Sequence, residues 1–128
     1  MERICLLLED NWRLRKLLRD LLQTEQIQTL EAETVTDALR LVQEKSDILD
    51  IIVTDIWIPG DASGLEFAFR VRKEFPTIPI VVMSGYPFLD RAKDLVGEFE
   101  LIEKPFKSEV FLEAVRKIVG ARKPTASS

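Results

Sequence analysis

Two hydrophobic periods alternate along the chain. Ile4-Cys5-Leu6-Leu7-Leu8 is an unbroken apolar run, the mark of a strand buried on both faces. From Trp12 to Thr24 the leucines at 14, 17, 18, 21 and 22 return at helical spacing. Gln28 to Ala32 is a shorter, more polar strand candidate. Thr34-Val35-Thr36-Asp37 has the spacing of a capping box, and Ala38, Leu39 and Val42 carry a helix to about Gln43. Asp50 to Thr54 contains a second buried run, Ile51-Ile52-Val53. A loop with Pro59, Gly60 and Gly64 follows Asp55. Leu65, Ala68, Val71 and Phe75 then form one helical face, which Pro76 ends. Ile80-Val81-Val82-Met83 is a third clear strand. A weaker helix is expected over 90–98, interrupted near Gly97, and Leu101-Ile102 is a short strand candidate. The last helix runs from Ser108 to about Val119, with Phe111, Leu112, Val115 and Val119 on one face.

Five strands alternating with five helices predict an open parallel sheet with helices on both faces. A chain of 128 residues holds one such domain, expected over 1–121, with 122–128 as a short frayed tail. Composition agrees with a folded chain: 46% of residues are hydrophobic and 31% charged. Lys and Arg number 18 against 22 Asp and Glu, a net charge of −4. With no basic block, nothing favours direct binding to nucleic acid. No run approaches the roughly 20 apolar residues of a membrane span. The first apolar run stops at Glu9, too soon for a signal peptide, so a cytoplasmic protein without membrane contact is expected. The lone Cys5 allows no intramolecular disulfide and reads as a small buried apolar residue. The most restrictive number is zero: there is no histidine. That removes Ser-His, Cys-His and His-metal mechanisms.

In an open α/β sheet the ligand site lies beyond the carboxyl ends of the strands. The first strand is followed by Glu9 and Asp10, the third by Asp55, the fourth by Ser84 and Gly85, and the fifth by Lys104 and Pro105. Three carboxylates brought close together raise one another's pKa unless a cation lies among them. Their hard oxygens favour Mg²⁺, with Mn²⁺ as a substitute. Lys104 supplies a point charge for an anionic group, Ser84 a hydrogen bond, and Gly85 room for that group to enter. Chemistry that uses these parts together is phosphoryl transfer with an Asp as acceptor. Taken singly, each acid is as easily a solvated loop residue or a cap; Asp10-Asn11 also reads as the cap of the first helix.

The set Leu8-Glu9-Asp10-Asn11, Asp55 with Pro59 and Gly64 after it, Met83-Ser84-Gly85-Tyr86 and Lys104-Pro105-Phe106 resembles the receiver domain of bacterial two-component response regulators, of the chemotaxis-regulator kind. The likeness runs from Arg3 to about Val119 with every motif in order. It implies a flavodoxin-like fold with strand order 2-1-3-4-5. It also implies a phosphoacceptor, Asp55, that takes phosphate from the phosphohistidine of a sensor histidine kinase or a histidine phosphotransfer protein. By the same resemblance Asp10 binds Mg²⁺ directly, Glu9 binds it through a water, and the backbone carbonyl of Trp57 is a further ligand. Lys104 pairs with the phosphoryl group, Ser84 swings toward it, and Pro105 follows a cis peptide bond. The surface of the 90–98 helix, the fifth strand and the last helix is where such domains dimerise or meet an output partner. Trp12 reads equally as packing or as part of the face of the first helix that meets a kinase.

This chain departs from the family pattern in four places. Glu9 stands where Asp is commoner, and the loop from Pro59 to Gly64 is one residue longer than usual. Leu101 occupies the place of the aromatic that answers the moving hydroxyl, with Phe99 as the nearest aromatic. Trp57 and Tyr86, each two residues beyond a site residue, would flank the phosphoryl group and slow its hydrolysis. The expected role is a signalling switch whose chemistry is directed at itself, either standing alone or as part of a larger protein. Two alternatives differ in kind. One is a degenerate receiver used as a binding scaffold, against which the intact Glu9, Asp10, Asp55, Ser84 and Lys104 stand, while Leu101 keeps it open. The other is an Asp-nucleophile phosphatase, against which Trp57 stands where a second acid is needed.

Overall fold

The computed structural model describes residues 2–56, 64–85 and 99–121. The elements are β1 (Arg3–Leu8), α1 (Trp12–Thr24), β2 (Ile27–Ala32), α2 (Val35–Lys45), β3 (Ile51–Asp55), α3 (Gly64–Glu74), β4 (Ile80–Ser84), β5 (Glu100–Glu103) and α4 (Ser108–Ala121). All strands are parallel, in the order β2-β1-β3-β4-β5. This is the flavodoxin-like order expected. The expected helix over 90–98, the loop with Pro59 and Gly60, Trp57, Tyr86 and the tail from 122 lie outside the described residues.

Strand alternation divides the core into two halves. Leu6, Leu8, Ile52, Ile80 and Val82 face α2 and α3, where they meet Val35, Ala38, Val42, Phe67, Ala68 and Val71. Cys5, Leu7, Ile51, Val53, Val81, Met83 and Ile102 face α1 and α4, where they meet Leu18, Leu22, Phe111 and Val115. A strand buried on both faces has no polar side to alternate with, which is why β1, β3 and β4 read as continuous apolar runs. Cys5 is fully buried, and burial pushes its thiol pKa up, so it is an inert part of the core.

Two helix starts match their sequence signals. The Asn11 side chain accepts hydrogen bonds from the N–H groups of Arg13 (3.0 Å) and Leu14 (3.2 Å), so Asn11, not Asp10, caps α1. Thr34 accepts from the Asp37 N–H at 3.1 Å and starts α2, which continues to Lys45, past the Gln43 expected. The short β5 runs one residue further at each end than the apolar pair Leu101-Ile102. Its outer positions, Glu100 and Glu103, are polar, and the ladder with β4 extends them.

α1 turns Leu18 and Leu22 inward but leaves Leu17 50% exposed. Phe67 on α3 is fully buried. Phe67→Ala is expected to cost about 3–5 kcal/mol of stability, and Leu17→Ala about 0.5 kcal/mol or less, both read from urea unfolding midpoints.

Candidate functional site

Strand register brings the site together. Leu8 pairs with Thr54, Asp55 with Met83, and Ser84 with Glu103. The carboxyl ends are therefore level, and the residues at and just beyond them, Glu9, Asp55, Ser84 and Lys104, lie side by side. Alternation continues past the last paired residue. Glu9, Asp55 and Lys104 follow Leu8, Thr54 and Glu103, so all three fall on the α1/α4 side of the sheet.

Glu9 is 1% exposed and Asp55 is buried. Lys104 bridges them: its ammonium donates to Glu9 Oε1 at 3.0 Å and to Asp55 Oδ2. The other Glu9 oxygen, Oε2, accepts from the Asn11 N–H at 3.2 Å. Asp10 is exposed, yet one carboxylate oxygen each from Glu9, Asp10 and Asp55 lies within 4.8 Å of the others. The three acids expected as metal ligands are thus brought to one point. The backbone carbonyl of Trp57 lies outside the described residues.

Electrostatics follow from this packing. Burial pushes the Glu9 carboxyl up to about 7, and the charge of Asp55 adds to that, against the opposing bonds from Lys104 and Asn11. Burial works against the Lys104 ammonium, but its bonds to Asp55 and Glu9 and the charges of both outweigh that, leaving its pKa above the ordinary lysine value. Donors that are all oxygen, gathered around one ammonium, suit a hard divalent cation, which would relieve the crowding of like charge.

Two features support Asp55 from below. The Thr54 hydroxyl donates to the Asp55 carbonyl at 2.9 Å. A Cβ on Gly64, the first residue of α3, would fall 1.6 Å from that carbonyl oxygen, so only glycine lets α3 start this close. Gly85 differs: a Cβ there would stand 3.6 Å from Lys104 Cβ, an ordinary contact, so nothing among the described residues requires glycine at that position. Ser84 is 1% exposed, and its hydroxyl has no hydrogen-bond partner among the described residues. The Lys104–Pro105 peptide is cis, as expected. One contact escaped the sequence reading: Arg15 donates to the Glu9 carbonyl oxygen at 2.7 Å. A basic residue in the first turn of an amphipathic helix reads as solvated, and no spacing rule marks it otherwise.

The response regulator receiver domain family matches residues 5–116. The chain belongs to that family. It is 28% identical over 115 residues to a putative response regulator described as NtrX-like from Rickettsia typhi, covering 88% of this chain and 24% of that protein. It is also 28% identical over 114 residues to sporulation initiation phosphotransferase F of Bacillus subtilis, covering 88% of this chain and 90% of that one. A solved response regulator receiver protein from Sinorhizobium medicae superposes with a TM-score of 0.85 at 26% identity, covering 95% of this chain and 98% of that one. The receiver therefore spans about a quarter of the length of the NtrX-like relative and nearly all of the sporulation protein.

A pH dependence follows from Glu9. Without divalent cations, the folded receiver keeps the Glu9 proton up to about pH 7, whereas the unfolded chain loses it near the ordinary value of 4.5. Between those limits the folded state binds more protons, so this group's contribution to stability falls as pH rises through the window. Urea midpoints measured in chelator across that range should show the fall, and Glu9→Gln should flatten it relative to wild type.

Proposed function

We propose that this receiver is a phosphorylation switch in which Asp55 accepts a phosphoryl group from the phosphohistidine of a sensor histidine kinase or histidine phosphotransfer protein. The observation that carries this reading is the cluster of Glu9, Asp10 and Asp55 at the strand ends with Lys104 bridging two of them. An Asp55 carboxylate oxygen attacks phosphorus. The bond from phosphorus to the donor imidazole nitrogen breaks, its electron pair stays with the imidazole, and an acyl phosphate forms on Asp55. Glu9, Asp10, Asp55 and the backbone carbonyl of Trp57 would hold Mg²⁺, which when bound neutralises charge on the phosphoryl oxygens. Lys104 leaves Asp55 Oδ2 and pairs with the incoming anion. The buried Ser84 hydroxyl, without a partner among the described residues, gains one there.

Access for a donor protein is supported by the surface next to the site. A groove of about 600 Å³ runs along Leu14, Leu17 and Leu21 of α1 to Lys104, Pro105 and Phe106. Trp12 at the start of α1 is 61% exposed, which favours the contact reading of that residue over plain packing. Output runs through Ser84 and the segment that follows it. Leu101 packs against the α2/α3 half of the core, beside Phe99, which is buried edge-on to Phe69 with Arg72 over its ring. An aliphatic Leu101 in place of the usual aromatic couples the hydroxyl to the surface more weakly. That same feature favours the second reading, a scaffold that works without phosphorylation.

Incubation with a small phosphodonor and Mg²⁺, followed by intact mass, distinguishes the readings. One added phosphoryl group, absent in Asp55→Asn, is the expected result. Continuous phosphate release would indicate a phosphatase instead, and no adduct together with no Mg²⁺ binding would indicate a scaffold. Replacing Trp57 and Tyr86 by small polar residues should speed loss of the phosphoryl group, followed as decay of the modified mass.

A further inference from the structure

We propose that Arg15 is a positioning residue for the cation-binding acids and that it acts through geometry, in the direction opposite to its charge. The proposal rests on reading Glu9 and Asp10 as cation ligands.

Arg15 lies in the first turn of α1, its own N–H bonded to the Asn11 carbonyl at 2.9 Å. Its side chain is only 12% exposed. Three guanidinium nitrogens reach three oxygens on two segments, the end of β1 and the end of β2. Nη1 donates to the Glu9 carbonyl at 2.7 Å, Nε to Glu31 Oε1 on β2 at 3.0 Å, and Nη2 to Glu33 Oε1, just beyond β2, at 3.2 Å. A planar fork with five N–H donors makes such a bridge without bending; a lysine ammonium on a flexible stem does not.

The bridge matters because of which carbonyl it holds. The Glu9 N–H donates to the Ala32 carbonyl at 3.1 Å, so β2 holds one side of Glu9 while Arg15 holds the other. The Glu9 carbonyl belongs to the planar peptide that leads into Asp10. Fixing that plane fixes where the Asp10 Cα, and hence its carboxylate, is presented. Asp10 is exposed, so no burial fixes its direction. Glu31 and Glu33 in turn fix the guanidinium, tying the acid pair to the end of β2.

Charge and geometry predict opposite signs. As a charge, Arg15 repels a divalent cation, so removing it should tighten cation binding. As a positioning group, its loss loosens the Glu9–Asp10 peptide and weakens binding. Arg15→Lys keeps the charge and loses the fork; Arg15→Gln loses both. Mg²⁺ binding is measured by calorimetric titration on wild type and both variants. Urea midpoints in chelator, taken alongside, give each variant's stability. Both variants are expected to bind Mg²⁺ about tenfold or more weakly, in the range seen when groups that orient metal ligands are removed. Tighter binding in Arg15→Gln, or an unchanged affinity in Arg15→Lys despite a lower urea midpoint, would overturn the proposal. No binding by wild type would overturn the cation-site reading itself, and Arg15's role with it.

Discussion

One ammonium held between two buried carboxylates is the contact on which the site depends. Lys104 lies 95 residues from Glu9 and 49 from Asp55 in the chain, and nothing local brings them together. A carboxylate buried as deeply as Glu9 is costly unless it is paired or protonated. The fold does both in part: Lys104 and Asn11 bond it, and its pKa still rises toward neutrality. The arrangement is poised because the same ammonium serves two acids. A cation or phosphoryl group entering the cluster would change what each of the three can bond.

The sheet makes that contact possible by being flush at its carboxyl edge. Parallel strands in this register end together, and alternation sends Glu9, Asp55 and Lys104 to one side while Thr54 and Ser84 fall on the other. The second side is support. Thr54 bonds the Asp55 carbonyl, and Gly64 lets α3 begin against it, so the backbone of Asp55 is fixed from the α2/α3 half of the core while its carboxylate faces the opposite way. Arg15 does the corresponding work for Glu9 from α1. Each acid thus has its main chain held by one set of groups and its side chain bonded to another.

Phe99 and Leu101 show how a family pattern and a particular core differ. Both point into the α2/α3 half, as residues two apart on a strand must. Phe99 is occupied with Phe69 and Arg72. It is no substitute one step along the strand for an aromatic at Leu101, because its ring already fills a place in the packing.

Much of this protein was legible in order and spacing. Hydrophobic period marked β1, β3, β4, α1, α3 and α4, because strands buried on both faces and amphipathic helices leave different repeats. Their alternation dictated a parallel sheet, and the residues at and beyond the strand ends named Glu9, Asp10, Asp55, Ser84 and Lys104. Short or polar elements were less legible: β5 is extended by ladder bonds to β4 at Glu100 and Glu103, which no side-chain pattern reveals. Sequence alone determined which groups are available and that they share an edge, since both follow from local periodicity. Tertiary structure alone decided that Glu9 is buried and its pKa raised, that Lys104 bridges it to Asp55, that Gly64 must lack a side chain, and that Arg15 holds the Glu9 carbonyl. The burial of Glu9 and the Lys104 bridge depend on segments remote in the chain, and the Gly64 and Arg15 contacts on how a helix packs against the end of a nearby strand; those distances exist only once the sheet has formed.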